Sequence, residues 1–201
     1  MIWRQRGRRS LWLILLLCWG CAGSGAPPAY YTLQPAPDAN VRGKDPQTAN
    51  LTIGIGPVEL PRHLDRDAVV TRIGPNRLKV NDRHRWAGSL QTDIVRVLAA
   101  RIEDLEQIKE VLVFPWPTNI EPDLRFRVQI LAFEGRPGKE VMLKTAWSMA
   151  PGTSGRPAVR RVSLIREEVR GESIGRMVVA MGTALIRLSR EMADAVSKAY
   201  P

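Results

Sequence analysis

The chain has 201 residues, 44% of them hydrophobic and 25% charged, and its 30 Lys and Arg outweigh its 20 Asp and Glu for a formal net charge of +10. This is ordinary globular material, enough for one domain with a real core. The basic excess could suit nucleic acid, but Arg4, Arg6, Arg8 and Arg9 open an export signal, and export removes that partner. What remains is weak attraction to anionic lipid headgroups or an acidic partner, or an ordinary mixed solvated surface.

The basic stretch MIWRQRGRRS contains no acid, and nine apolar residues follow from Leu11 to Trp19. A membrane-spanning helix needs roughly 20 apolar residues, whereas this run breaks into glycines and prolines. The two cysteines, Cys18 and Cys21, stand in CWGC. A redox pair should open a helix beside a strand, and zinc needs more ligands than two cysteines and a distant histidine. A lipoprotein signal instead ends in a small residue directly before the acylated cysteine. Gly20 fits before Cys21, while Leu17 is too bulky before Cys18, so Cys21 is the expected lipidation site. A simple secretory peptide cleaved near Gly23 to Gly25 is the competing reading. Ala22 after the cysteine, where an aspartate would retain the protein at the inner membrane, favours delivery to the outer membrane, facing the periplasm.

Three regions are expected: a signal peptide over 1–20, a lipid-anchored tether and loop over 21–50, and a single domain over 51–201. The tether carries Pro27, Pro28, Pro35, Pro37 and Pro46, with a short strand at 30–33 in YYTL. LTIGIGPVEL alternates Leu51, Ile53 and Ile55 on one face, and AVVTRI and RLKVND flank the turn GPN as a hairpin. From Arg85 the period changes, and Trp86, Leu90, Ile94, Leu98, Ile102 and Leu105 share one helical face. EVLVFP reads as a short strand stopped by Pro115. LRFRVQILAFEG alternates Phe126, Val128 and Ile130 against Arg125, Arg127 and Gln129, as a strand with one buried and one wet face does. EVMLKTAWSM and VRRVSLIREEV are its expected antiparallel neighbours, joined by a loop at 151–157. A helix from about Glu172 to Ala199 closes the chain, with Ile174, Met177, Met181, Leu185, Leu188, Met192 and Val196 inward; its methionines read as core. The expected fold class is α+β, a mainly antiparallel sheet with two amphipathic helices packed on one face.

The residues offer little chemistry. His63 and His84 are the only histidines, each among arginines and aspartates in predicted turns and without a third ligand. Asp65 and Asp67 in HLDRD lack the cleft that catalytic carboxylates need. No serine lies in a G-x-S-x-G elbow, and the glycines of GIGPVELP do not have phosphate-loop spacing. No enzyme, metal or cofactor is expected beyond the diacylglycerol and N-acyl chains on Cys21. Trp116, held between Pro115 and Pro117, is either a rigid aromatic presented to a partner or a side chain folded back on its own domain.

The order of these pieces resembles the PqiC/YmbA family, auxiliary lipoproteins of ABC-type and MCE-type transport systems in Gram-negative envelopes. The resemblance is carried by YYTL after the lipobox, IGPVELPRHLDRDAVVTRIGPNRLKV, HRWAGSL, PDLRFRVQILAFEG and IGRMVVAMGTALIRLSREMADAV, and spans nearly the whole mature chain. The lipobox departs from the family pattern at Cys18, where a leucine is usual. The resemblance implies a non-catalytic lipoprotein at the outer membrane that docks on an MCE-domain membrane-bridging protein with its inner-membrane permease. It would help move phospholipid or another hydrophobic molecule between membranes, and could form a homo-oligomer. The expected docking residues are Pro61, Asp65 and Asp67, with Trp116 as a further candidate; Trp86, near the turn, fits core as well. Two rivals belong to other classes: a lipoprotein activator of a peptidoglycan synthase, and a carrier that encloses its own lipid.

Overall fold

A computed structural model describes residues 26–34, 49–152 and 158–200. The expected signal segment, Cys21 and most of the expected tether and loop at 21–50 and of the expected loop at 151–157 lie outside these residues. Eight strands form one sheet: β1 Ala29–Tyr31, β2 Leu51–Glu59, β3 Ala68–Gly74, β4 Arg77–Trp86, β5 Ile108–Val113, β6 Leu124–Gly135, β7 Glu140–Pro151 and β8 Val159–Glu168. Among the described residues two helices, α1 Leu90–Glu103 and α2 Ile174–Ala199, complete the α+β architecture.

The sheet is mixed, which corrects the expectation of a mainly antiparallel one. β1 with β4, β2 with β5 and with β6, and β3 with β6 run parallel. The hairpin β3–β4 and the meander β6–β7–β8 are antiparallel. Short turns explain the antiparallel pairs, since they join strands that are adjacent in the chain. The parallel pairs arise where the chain leaves the sheet and returns. Helix α1 carries it from β4 to β5, and the segment 114–123 carries it from β5 over to the opposite side of β2. Alternation along a strand reports which face is buried, not the direction of the neighbour, so this feature is not written in the local pattern.

Strand β6 organises the sheet. One edge pairs with β7 along nearly its whole length; the other pairs first with β2 and then, at Gly135, with Thr71 of β3. The sheet therefore forks, with β2–β5 on one arm and β3–β4–β1 on the other. Both helices cover the same face, where Ile53, Ile55, Phe126, Val128, Ile130, Phe133, Leu143 and Ile165 are buried in one continuous core. Helix α1 starts later than expected. Strand β4 continues through Trp86, which is buried at the strand's end, and Ser89 is the N-cap, its side chain accepting from the Thr92 N–H at 3.4 Å. Helix α2 is capped likewise by Ser173, whose hydroxyl accepts from the Arg176 N–H at 3.2 Å. Met177, Met181 and Met192 are fully buried, so the methionines of α2 pack the core.

The N-terminal segment is locked to this framework. β1, shorter than the expected strand at 30–33, aligns Ala29 with His84 and Tyr31 with Trp86. Just beyond it the Leu33 side chain is buried, its N–H donates to Asp93 Oδ2 at 2.9 Å, and its carbonyl accepts from Arg96 at 3.1 Å. Arg96 also pairs with Asp93 Oδ1 at 2.5 Å.

Candidate functional site

The sequence candidates fall in two separate places. Pro61, Asp65 and Asp67 lie on the β2–β3 connection, at the fork of the sheet. There the Leu64 and Asp65 N–H groups donate back to the Pro61 carbonyl at 2.9 and 3.3 Å, and Leu64 is buried beneath the turn. Asp65 and Asp67 are exposed, and the Asp67 carbonyl accepts from the Trp86 N–H at 2.7 Å. The turn thus presents its carboxylates outward while its backbone and Leu64 fix its shape.

Trp116 lies elsewhere. The chain leaving β5 must return to the start of β6 on the far side of β2, and it does so across the sheet face opposite the helices. Ile53 and Ile55 face the core, so Gly54 between them faces outward. A Cβ at Gly54 would stand 3.0 Å from Trp116 Cζ3 and 2.8 Å from Pro122 Cγ. Phe114 occupies the same kind of space over Gly56, and its ring meets Trp116 edge to face with centroids 5.4 Å apart. The missing side chains in GIG make room for this crossing. Trp116 is half-buried on its own sheet, and Gly54 lies seven residues before Pro61, roughly 20 Å along a strand. The structure does not bring Trp116 and the Pro61–Asp67 turn together.

His63 lies in the β2–β3 turn as expected, whereas His84 does not lie in a turn. His63 Nε2 lies 2.6 Å from Glu134 Oε1, and Arg72 donates to Glu134 Oε2 at 3.3 Å, around a carboxylate whose side chain is 1% exposed. His84 is on strand β4, with Nδ1 2.8 Å from the Tyr31 hydroxyl and the two rings stacked at 5.7 Å. Among the described residues no group of three or more His, Cys, Asp or Glu side chains could hold a metal ion, and no helix is long and apolar enough to cross a membrane.

The outward face also carries a feature that sequence reasoning missed. An open groove of about 530 Å³ runs over β2, β6, β7 and β8, lined by Pro57, Glu59, Arg127, Ser148, Arg160 and Val162 among others. Register sets its geometry: Arg127 is directly opposite Ser148, and Ser148 directly opposite Arg160. The next row aligns Glu59, Gln129, Ala146 and Val162. Gln129 donates to Glu59 Oε2 at 3.3 Å, which holds that carboxylate at one end. Arg161, one residue on from Arg160, turns to the helix side and stacks on Trp147 at 5.8 Å. The alternation in LRFRVQ marks Arg127 as outward, but only long-range pairing places Ser148 and Arg160 beside it.

Comparison with known proteins gives the fold and the site their setting. Residues 31–193 match the family model described as the ABC-type transport auxiliary lipoprotein component, and the chain belongs to that family. The protein is thus an auxiliary lipoprotein component of an ABC-type transport system. The fold is similar to the crystal structure of an uncharacterised protein at TM-score 0.68 and 17% identity, covering 85% of this chain and 99% of that one. It is also similar to a DUF330-family protein from Xanthomonas campestris at TM-score 0.64 and 15% identity, covering 82% and 92%. At such identities the likeness concerns the fold alone. No curated protein matches the chain in sequence.

Proposed function

We propose that this chain is a PqiC/YmbA-type component of an MCE-type intermembrane lipid-transport system. In this reading it is a non-catalytic lipoprotein held at the outer membrane through Cys21 and facing the periplasm. The observation that carries the proposal is the spacing between the lipobox cysteine and the family domain: the match begins at residue 31, and strand β1 starts eight residues after Cys21. Eight residues reach at most about 28 Å even when fully extended. A domain so closely leashed works at the membrane surface, where tethering makes weak contacts effective without adding new ones. The acyl chains would make attachment effectively permanent, at about 0.8 kcal/mol per buried CH₂.

The partner is an MCE-domain membrane-bridging protein together with its permease. The turn bearing Pro61, Asp65 and Asp67 is the proposed docking patch, because its carboxylates are exposed on a backbone fixed from below. Trp116 with Phe114 forms a second proposed contact, and self-association into a homo-oligomer would repeat both patches around the partner. The test is a mild-detergent pull-down of the full-length protein from its native envelope with mass spectrometry of what is retained, alongside fractionation of a Cys21→Ser variant. Recovery of an MCE-domain protein with its permease, and loss of the variant from outer-membrane vesicles, are the expected results. Recovery of a peptidoglycan synthase alone would replace the proposal with the activator reading.

A further inference from the structure

We infer that the groove on the outward sheet face is a binding site for an anionic glycerophospholipid, with the phosphodiester seated between Arg127 and Arg160 over Ser148. The two arginines are two strand spacings apart, about 10 Å between Cα atoms, so guanidinium groups reaching inward from both sides can meet on one phosphate. The floor between them is kept low by Ala146 and Ser148, and the Ser148 hydroxyl is available as a donor. Among the described residues neither Arg127 nor Arg160 has an ion-pair partner, so their planar forks are available for the bidentate contact that phosphate favours.

An apolar strip specifies a lipid over a free phosphate. One row from the arginine pair stands Val162, 65% exposed, and the row after it carries Leu164, 49% exposed, opposite the exposed Lys144. Both lie on β8, which pairs only with β7, so the strip opens at the margin of the sheet. Charge followed by uncovered aliphatic surface is the order of a headgroup and its acyl chain. Glu59, held at the other end by Gln129, sets a carboxylate beside the headgroup position, where it suits a hydroxyl-bearing headgroup that can donate to it. The inference rests on the membrane placement proposed above, because only there would such a lipid be at hand.

The test uses the mature lipidated protein in a non-ionic detergent, titrated with dihexanoyl phosphatidylglycerol and followed by phosphorus NMR. Saturable binding is expected, weakened about tenfold in each of Arg127→Gln and Arg160→Gln, since each removes one charge-assisted contact to the phosphate. Val162→Ser should weaken the lipid but leave inorganic phosphate unaffected. Circular dichroism and urea midpoints unchanged from the parent would establish that the exposed-arginine variants are folded. Three results would overturn the inference: no saturable binding to the parent, inorganic phosphate binding as tightly as the lipid, or a polyglutamate peptide competing at equal affinity, which would assign the groove to an acidic protein segment. The titration contains no transporter, so its failure leaves the pull-down and fractionation results standing, and their failure leaves the titration standing.

Discussion

His63 Nε2 sits 2.6 Å from Oε1 of Glu134, joining a turn residue to a β6 carboxylate 71 positions further along the chain. Arg72 of β3 reaches the other oxygen at 3.3 Å, so one buried acid on β6 holds the β2–β3 turn and the β3 arm of the fork. Glu134→Ala should destabilise the protein by about 3 kcal/mol, the low end for a broken buried pair, because both partners keep some contact with water. Glu134→Gln should cost less, since an amide still bonds to His63. Urea unfolding of the two variants checks the order, and a loss within error for Glu134→Ala would contradict it.

Gly54 and Trp116 should behave as a coupled pair. Gly54→Val puts two methyl groups where Trp116 and Pro122 already lie, and overpacking of this kind costs about 2 kcal/mol. Once the indole has been displaced, removing it matters less. A double-mutant cycle with Trp116→Ala should therefore show a coupling of about 1 kcal/mol. Additive losses would mean that the β5–β6 crossing does not use the space left by the glycine.

Ser163 links the sheet to α2. Its hydroxyl accepts from Trp147 Nε1 at 3.0 Å and donates to Glu191 Oε2 at 2.5 Å. Ser163→Ala leaves the buried indole N–H without a partner, a loss of about 1–3 kcal/mol. Thermal or urea denaturation reads this directly, and Ser163→Thr, which keeps the hydroxyl, should recover part of it.

Asp93→Ala should free the N-terminal segment with limited damage elsewhere. The aspartate receives the Leu33 N–H and positions Arg96, which in turn holds Thr32 Oγ1 at 2.9 Å and the Leu33 carbonyl. Hydrogen exchange over residues 26–34 should accelerate by at least about tenfold, while β6 and β7 keep their protection. Equal acceleration throughout would show that the clamp supports the whole domain.

The strands and helices are written in local periodicity wherever one face is buried. LRFRVQILAFEG is β6 from Leu124 to Gly135, and the heptad-like spacing from Ile174 to Val196 is the inward face of α2. Trp86 marks where that reading fails: its spacing to Leu90 fits a helix, yet it ends β4, because Gly88 and Ser89 place the helix start after it. Strand partners were out of reach for another reason. The parallel placement of β5 and β6 on either side of β2 depends on a crossing permitted by Gly54 and Gly56, and such glycines signal close approach without naming what approaches. The groove inherits the same limit: Arg127 is legible as outward, but its neighbours Ser148 and Arg160 are set by register across β7 and β8.

The position of β1 also defines a load path. On the anchoring and docking proposed above, tension between membrane and partner would enter the fold at Ala29 and meet the Asp93 clamp at Leu33. The three residue pairs between β1 and β4, together with that clamp, would act as a mechanical fuse that yields before the continuous core. On that anchoring the domain would keep its N-terminal strand when slack and lose that strand first when pulled.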